Sequence, residues 1–279
     1  MVQQAMKPTH DFIDCRRALM CKPTAYDLKY EINAWMHVSD RPDKRLAAEQ
    51  WAMLYETLTQ KVGLHIELID QAKNAPDMVF TANAGLLLPD RRVVLSRFRH
   101  PERQVEEAPF ERWFIDQGYQ VVKIDPDCHF EGEGDCFHMG DIYIAGYRKR
   151  SDICSHRILS ELTGKNVISV ELMDDRWYHL DTCFLPLTNR LVAFYPEAFD
   201  TYGRRVIQEH FKAIPVAQDE ALRFACNSVV VGKQVVLPAN CPTLRFQLEE
   251  EGFCTHEVPM SEFLKSGGAC KCLTLYLRH

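Results

Sequence analysis

The chain has 279 residues, 46% of them hydrophobic and 26% charged, enough to bury a sizeable core in one large domain or two ordinary ones. Its net charge of −6 argues against a phosphate-backbone partner, so no nucleic acid is expected. No run of about 18 uncharged apolar residues is present, so no membrane-spanning helix is expected.

Residues 1–14 read as a loose start, and the first eight lack the apolar core of a secretory signal. Arg17–Cys21 reads as a strand stopped by Lys22-Pro23. Residues 27–36 form a loop or short helix in which Asn33 stands among Ile32, Ala34, Trp35 and Met36. The spacing of Ala47, Trp51, Leu54, Leu58 and Val62 predicts a helix over 45–62, with Gly63 as its stop. An alternating strand follows over 64–69.

From there a unit recurs: strand, turn, strand, helix, strand. Its first copy runs through strands at 78–88 and 93–96, a helix at 110–117 and a strand at 120–124. The second has strands at 135–139 and 142–145, a helix at 151–163 and a strand at 167–172. The third has 178–187, 191–195, a helix at 203–211 and 213–216; the fourth has 228–231, 234–238, a helix over Pro242–Glu250 and 255–258. A glycine turn and apolar strand at 266–277 begin a fifth, which the N-terminal segment completes. The period is about 45–55 residues, the range in which self-similarity decides a fold. One helix and several short strands per unit predict an outer helical layer and an inner layer of strands. If the units close into a ring, the openings near positions 83, 131, 179 and 272 meet at a central channel. No linker divides the chain, so a single domain over 1–279 is expected.

Chemistry concentrates at those openings. Gly267-Gly268 allow close backbone approach, and Cys272 beyond them is a candidate nucleophile on a pocket floor. The plain alternative is that Cys270 and Cys272 are both small core residues. A thiol needs a base or a positive neighbour to ionise near neutral pH. His179 has the chemistry to protonate a leaving group and then to activate water. Asp181, two residues on, points the same way in a strand and either orients the imidazole or meets a cationic substrate. Glu131 and Asn83 open the two preceding units. Taken singly, His179 reads as a satisfied histidine, Asn83 as a cap, and Glu131 as solvated beside Glu133 and Asp135. Their matching places in successive repeats point to a shared site.

Eleven cysteines, an odd number, fit a reducing compartment better than a disulfide framework, so a cytoplasmic location is expected. Cys128-His129 and Cys136-x-His138 offer zinc-type side chains. Their spacing is unlike the common finger patterns, and the acidic run between them would crowd the site with charge. No metal or organic cofactor is expected.

These motifs carry a family resemblance. FTAN (80–83), SRFRHPER (96–103), FEGEGD (130–135), HLDT (179–182) and SGGACKCLTL (266–275) together resemble the guanidine-modifying enzymes of the pentein fold. That family includes arginine deiminases, dimethylarginine hydrolases and amidinotransferases, and the likeness covers nearly the whole chain. It implies a five-fold pseudosymmetric α/β propeller. It also implies Cys272, rather than Cys270, as the nucleophile, with His179 and Glu131 as catalytic partners. By the same resemblance Asp181 and Glu131 grip the guanidinium, Arg103 (less well Arg99) meets the α-carboxylate, Asn33 meets the amino end and Phe80 lines the pocket. Lys271 stands where the family often has His. Arginine deiminases carry Asp where this chain has Asn83. That Asn, with Met20-Cys21-Lys22-Pro23 and Tyr30-x-Ile32-Asn33-x-Trp35-Met36, is similar to the arginine dihydrolase domain of cyanobacterial type. That domain is often fused to an ornithine-processing part; with the sequence stopping after the cysteine strand, no second activity is expected. The implied substrate is arginine or a close derivative and the implied products are ornithine, carbon dioxide and two ammonia. The alternatives are single-step deiminase or dimethylarginine hydrolase chemistry, amidino transfer, or a non-catalytic pentein binding module. A homo-oligomer is compatible with all of them.

Overall fold

The computed structural model describes residues 15–277, so the expected loose start at 1–14 lies outside the described residues. Fifteen strands form five three-stranded sheets among the described residues. The first sheet joins the two ends of the described chain: β1 (Arg17–Cys21) lies between β2 (His65–Ile69) and the last strand, Leu275–Tyr276. The second holds β3 (Gly85–Leu87), β4 (Arg92–Leu95) and β5 (Gln120–Val122). The third holds β6 (Cys136–Met139), β7 (Ile142–Tyr147) and β8 (Asn166–Glu171). The fourth holds β9 (Phe184–Pro186), β10 (Leu191–Phe194) and β11 (Lys212–Pro215). The fifth holds β12 (Val229–Val231), β13 (Gln234–Pro238) and β14 (Cys254–Val258). In every sheet the middle strand pairs antiparallel with one neighbour and parallel with the other. A helix makes each parallel crossover, as a parallel pair requires.

Local chemistry explains the helix boundaries. Asp43 caps Lys44–Glu56 by accepting from Leu46 N, and its buried side carries Ala47, Trp51 and Leu54. The expected continuation to residue 62 becomes a π-helical turn, Thr57–Lys61. Pro242 opens Pro242–Glu250 at the first turn, where its missing N–H costs nothing. Phe110 and Phe114 of Glu107–Asp116 pack with Val93 of β4 and with Leu19 and Leu275 of the neighbouring sheet. Burying each such side chain contributes about 1.5–3 kcal/mol, so this cluster fastens one sheet to the next.

The sequence pattern errs in one systematic way. The strands expected at 78–88, 178–187 and within 266–277 survive only at their far ends, as Gly85–Leu87, Phe184–Pro186 and β15 (Leu275–Tyr276). The segments before them are tight turns. The apolar–polar alternation there is real, but its polar members face a buried interior.

One disulfide, Cys128–Cys154, runs against the reducing-compartment expectation, while the other nine cysteines are free and build no disulfide framework. It ties the segment ahead of Glu131 to the helix Ile153–Thr163. Sequence spacing gives no sign that two cysteines 26 positions apart come within 6.2 Å at Cα. The zinc-type side chains disperse: His129 bonds Asp152, and His138 meets Lys165.

Candidate active site

The turns before the first strands carry the candidate residues. Asn83 lies in the 3-10 turn Thr81–Ala84 ahead of β3. Glu131 caps Gly132–Gly134 ahead of β6. His179 caps Leu180–Thr182, which holds Asp181, ahead of β9. Cys272 sits in the turn that leads to β15. All five side chains are buried.

His179 and Asp181 do not share a direction, because the chain between them turns rather than extends. His179 Nε2 lies 2.7 Å from Glu131 Oε2. The same oxygen accepts from Arg150 Nη1 at 3.1 Å, and Oε1 accepts from Arg99 N at 3.2 Å. Burial pushes the Glu131 carboxyl up, but Arg150, then the hydrogen bond and charge of His179, outweigh it and hold it well below the usual carboxylate range. A charged Glu131 accepts the proton of Nε2, and His179 Nδ1 has no partner among the described residues.

Asp181 faces the sulfur instead. Its Oδ2 accepts from Cys272 Sγ at 3.3 Å, and its Oδ1 has no partner among the described residues. Burial raises this carboxyl to about 7, against the pull of Lys271. Burial, and next the charge of Asp181, push the Cys272 thiol well above its ordinary value. The free protein therefore holds a protonated sulfur that donates to Asp181. A cation placed beside both groups would lower both values together.

Asn83 is fixed in orientation. Arg103 Nη1 donates to its Oδ1 at 2.8 Å, which turns Nδ2 toward the Glu131 carbonyl at 3.3 Å. A methyl group on Gly134 would overlap that amide, so glycine there permits the approach. Arg103 is built into the wall rather than offered whole to a ligand. Its Nε and Nη2 form a bidentate pair with Glu106, each bond 2.8 Å, and one Nη1 hydrogen has no partner among the described residues. Asn33 reaches the glycine turn, donating to Ser266 O at 3.1 Å. Phe80 packs so closely on Gly268 that a Cβ there would stand 2.6 Å from its ring.

Several residues that sequence reasoning passed over complete the cluster. Arg150 is buried with its guanidinium 4.6 Å above the Tyr178 ring. Tyr178 in turn donates to Gly267 O at 2.5 Å. The run Glu131-Gly132-Glu133-Gly134-Asp135 is buried and divides its charge among separate partners. Glu133 accepts from Lys271 Nζ at 2.9 Å and from Tyr276 N at 3.1 Å. Asp135 accepts from Ser151 Oγ at 2.6 Å and Leu180 N at 3.0 Å, which pins the turn behind His179. The alternation of acid and glycine was the available signal: small residues let each carboxylate leave in its own direction. Asn227, ahead of β12, bonds Cys272 directly at 3.0 Å, and its place matches the other openings.

Five like sheets with a thiol, an imidazole and paired carboxylates on their connecting turns define a pentein of the guanidine-modifying class. Residues 24–279 match the profile of the family described as N,N dimethylarginine dimethylhydrolase, eukaryotic. The chain belongs to that family.

Among curated relatives it is similar to the bifunctional arginine dihydrolase/ornithine cyclodeaminase ArgZ of Synechocystis sp. The identity is 44% over 265 residues, covering 93% of this chain and 37% of ArgZ. The chain thus spans well under half the length of that relative. It is 38% identical to the N(G),N(G)-dimethylarginine dimethylaminohydrolase of Mycobacterium tuberculosis, covering 93% of this chain and 85% of that one. Among solved structures, a substrate-bound cysteine-to-serine variant of the N-terminal domain of ArgZ, described as a cyanobacterial arginine dihydrolase, superimposes with a TM-score of 0.90. There the identity is 43%, and the match covers 94% of this chain and 98% of that domain.

Proposed function

We propose that this chain is an arginine dihydrolase: with two waters it converts arginine to ornithine, carbon dioxide and two ammonia by covalent cysteine catalysis. Likeness to the N-terminal domain of ArgZ along nearly its whole length supports this reading. Five sheets of one topology, with β15 and β1 joining the last segment to the first, support a closed five-bladed α/β propeller around the site.

The guanidinium enters beside Asp181 Oδ1, and its charge lowers the Cys272 thiol. The Sγ proton passes to His179 Nδ1, and the thiolate attacks the guanidinium carbon. His179 returns the proton to the departing ammonia, leaving a thiouronium on Cys272. Water, deprotonated by His179, adds to that carbon, and the C–S bond breaks to give a ureido group. Glu131 holds the imidazole throughout. The α-carboxylate is met by the buried arginines of the wall, Arg103 and Arg150, and the amino end by Asn33.

The observation that carries the second round is the orientation of Asn83. With Oδ1 held by Arg103, the amide presents a donor. A donor suits the ureido oxygen and the oxyanion that forms when it is attacked again. A carboxylate at that place would set acceptor against acceptor and favour release of citrulline.

Quantifying ornithine, citrulline and ammonia together tests the reading. Two ammonia per ornithine are expected from the wild type, and citrulline as the end product from Asn83→Asp. Stoichiometric citrulline from the wild type would leave single-step deiminase chemistry in its place.

A further inference from the structure

Asn227 occupies the one opening to which no role has been given. It is fully buried, in the bend ahead of β12, equivalent to the turns that carry Asn83, Glu131, His179 and Cys272. Its Oδ1 accepts two backbone N–H groups, from Ala269 and from Cys272, each at 3.0 Å. Only an oxygen can accept both, so the amide cannot be reversed. Its NH2 group therefore faces Cys272 Sγ at 3.0 Å and the Asp181 carbonyl at 3.0 Å. Asn227 O accepts from Lys271 N at 3.0 Å, so one residue grips the turn at Cys272 and at two of the residues leading into it.

We propose that Asn227 is a catalytic residue: its Nδ2–H stabilises the Cys272 thiolate and holds the sulfur aimed at the substrate carbon. This rests on Cys272 being the nucleophile, as in the mechanism above. The surroundings give Asn227 work to do. Burial and the charge of Asp181 oppose ionisation of the sulfur, whereas the Asn227 hydrogen bond and the Ala269 N–H favour it. When the proton leaves Sγ, the bond to Asp181 turns from favourable to repulsive. The amide bond stays favourable in both forms and strengthens with the charge. Because Nδ2 is tied to Asp181 O, the donor needs no reorganisation as the thiolate forms.

The test uses Asn227→Asp, which keeps the shape and the acceptor for Ala269 N and Cys272 N but replaces the donor with an oxygen. Alkylation of Cys272 by iodoacetamide is followed by peptide mass spectrometry as a rate from about pH 6 to 10, on the rising limb below the inflection of a thiol held above its ordinary value. At every pH in that range the rate is expected to fall roughly tenfold or more, as an upward move of about one unit in the thiol requires. With arginine, kcat falls while KM stays within about twofold, because substrate binding is left intact. Should Asn227→Asp fail to fold, Asn227→Ser, whose hydroxyl is too short to bridge turn and sulfur, is expected to lower the rate the same way. A folded variant with the wild-type alkylation rates overturns the proposal. So does a folded variant whose kcat matches the wild type. The alkylation readout uses no substrate, so a wrong assignment of arginine as substrate would leave it standing.

Discussion

Asp181 is the residue at which ionisation and stability meet. Its carboxyl is fully buried and raised to about 7, whereas an unfolded chain returns it to about 4. Between those values the folded state keeps a proton that the unfolded state has lost. The contribution of this group is thus fully present below about pH 4 and is lost as the pH rises through about 7. Asp181→Asn supplies a permanently neutral side chain of the same shape. Relative to the wild type the variant is expected to gain stability from pH 5 to pH 8, by up to about 1.4 kcal/mol per unit below pH 7. Urea unfolding at the two pH values measures this, and an equal gap at both would refute the protonated carboxyl. Glu131 behaves oppositely, since Arg150 and His179 outweigh its burial. Two carboxylates on adjacent turns are thus set apart in charge by their neighbours alone. Sequence distinguishes neither, because Arg150 and His179, which hold Glu131 charged, lie 19 and 48 positions along the chain from it.

At the scale of elements, the site depends on turns that approach each other backbone to backbone. Gly132 has φ +64, and a Cβ on it would lie 2.7 Å from Gly85 O and 2.8 Å from Gly85 N, atoms of the chain itself that cannot swing aside. Gly164 has nearly the same φ, +67, at a helix end with open space around it. Substituting Ala at both separates conformational strain from close approach. Gly164→Ala is expected to cost about 1 kcal/mol, the strain alone, with activity unchanged. Gly132→Ala is expected to cost about 2–4 kcal/mol and to lower kcat, because the shift it forces displaces Glu131 from His179. Equal losses in stability and activity from the two would reject the contact between the turns. The repeat of strands and helices was legible in the sequence, and so were the polar residues at its openings. The 3-10 turns were not. Phe80-Thr81-Ala82-Asn83 and His179-Leu180-Asp181-Thr182 alternate as strands do, and only a buried polar centre, built by residues from several repeats, rewards turning those side chains inward. Asn227 escaped notice because Cys226-Asn227-Ser228 looks like ordinary turn chemistry.

At the scale of the whole molecule, one sheet seals the chain. β1 pairs with β2 in parallel and with β15 in antiparallel, with Ala18 opposite Tyr276 and Leu19 opposite Leu275. Leu19 and Leu275 also share an apolar cluster with Val93, Phe110 and Phe114 of the next unit. The first described strand is therefore as much a part of the last repeat as of the first, and Cys272 lies just before the strand that makes the closure. This arrangement predicts that the position of the chain break matters little provided every sheet keeps its three strands. A circular permutant, with the old ends linked and new ends at Gly232-Lys233, breaks the chain at a hairpin turn between β12 and β13 where nothing crowds Gly232. It keeps each sheet whole and each site residue on its turn. The permutant is expected to unfold in one cooperative transition and to retain turnover within about tenfold of the parent, the hairpin becoming the flexible point. A break placed instead between Cys272 and Leu275 leaves the Cys272 thiol near a free end and detaches β15 from its turn. That permutant is expected to lose activity even where circular dichroism reports native secondary structure. If both permutants proved equally inactive, the sheets would depend on the order of the chain, and closure through β1 and β15 would not be what holds the site together.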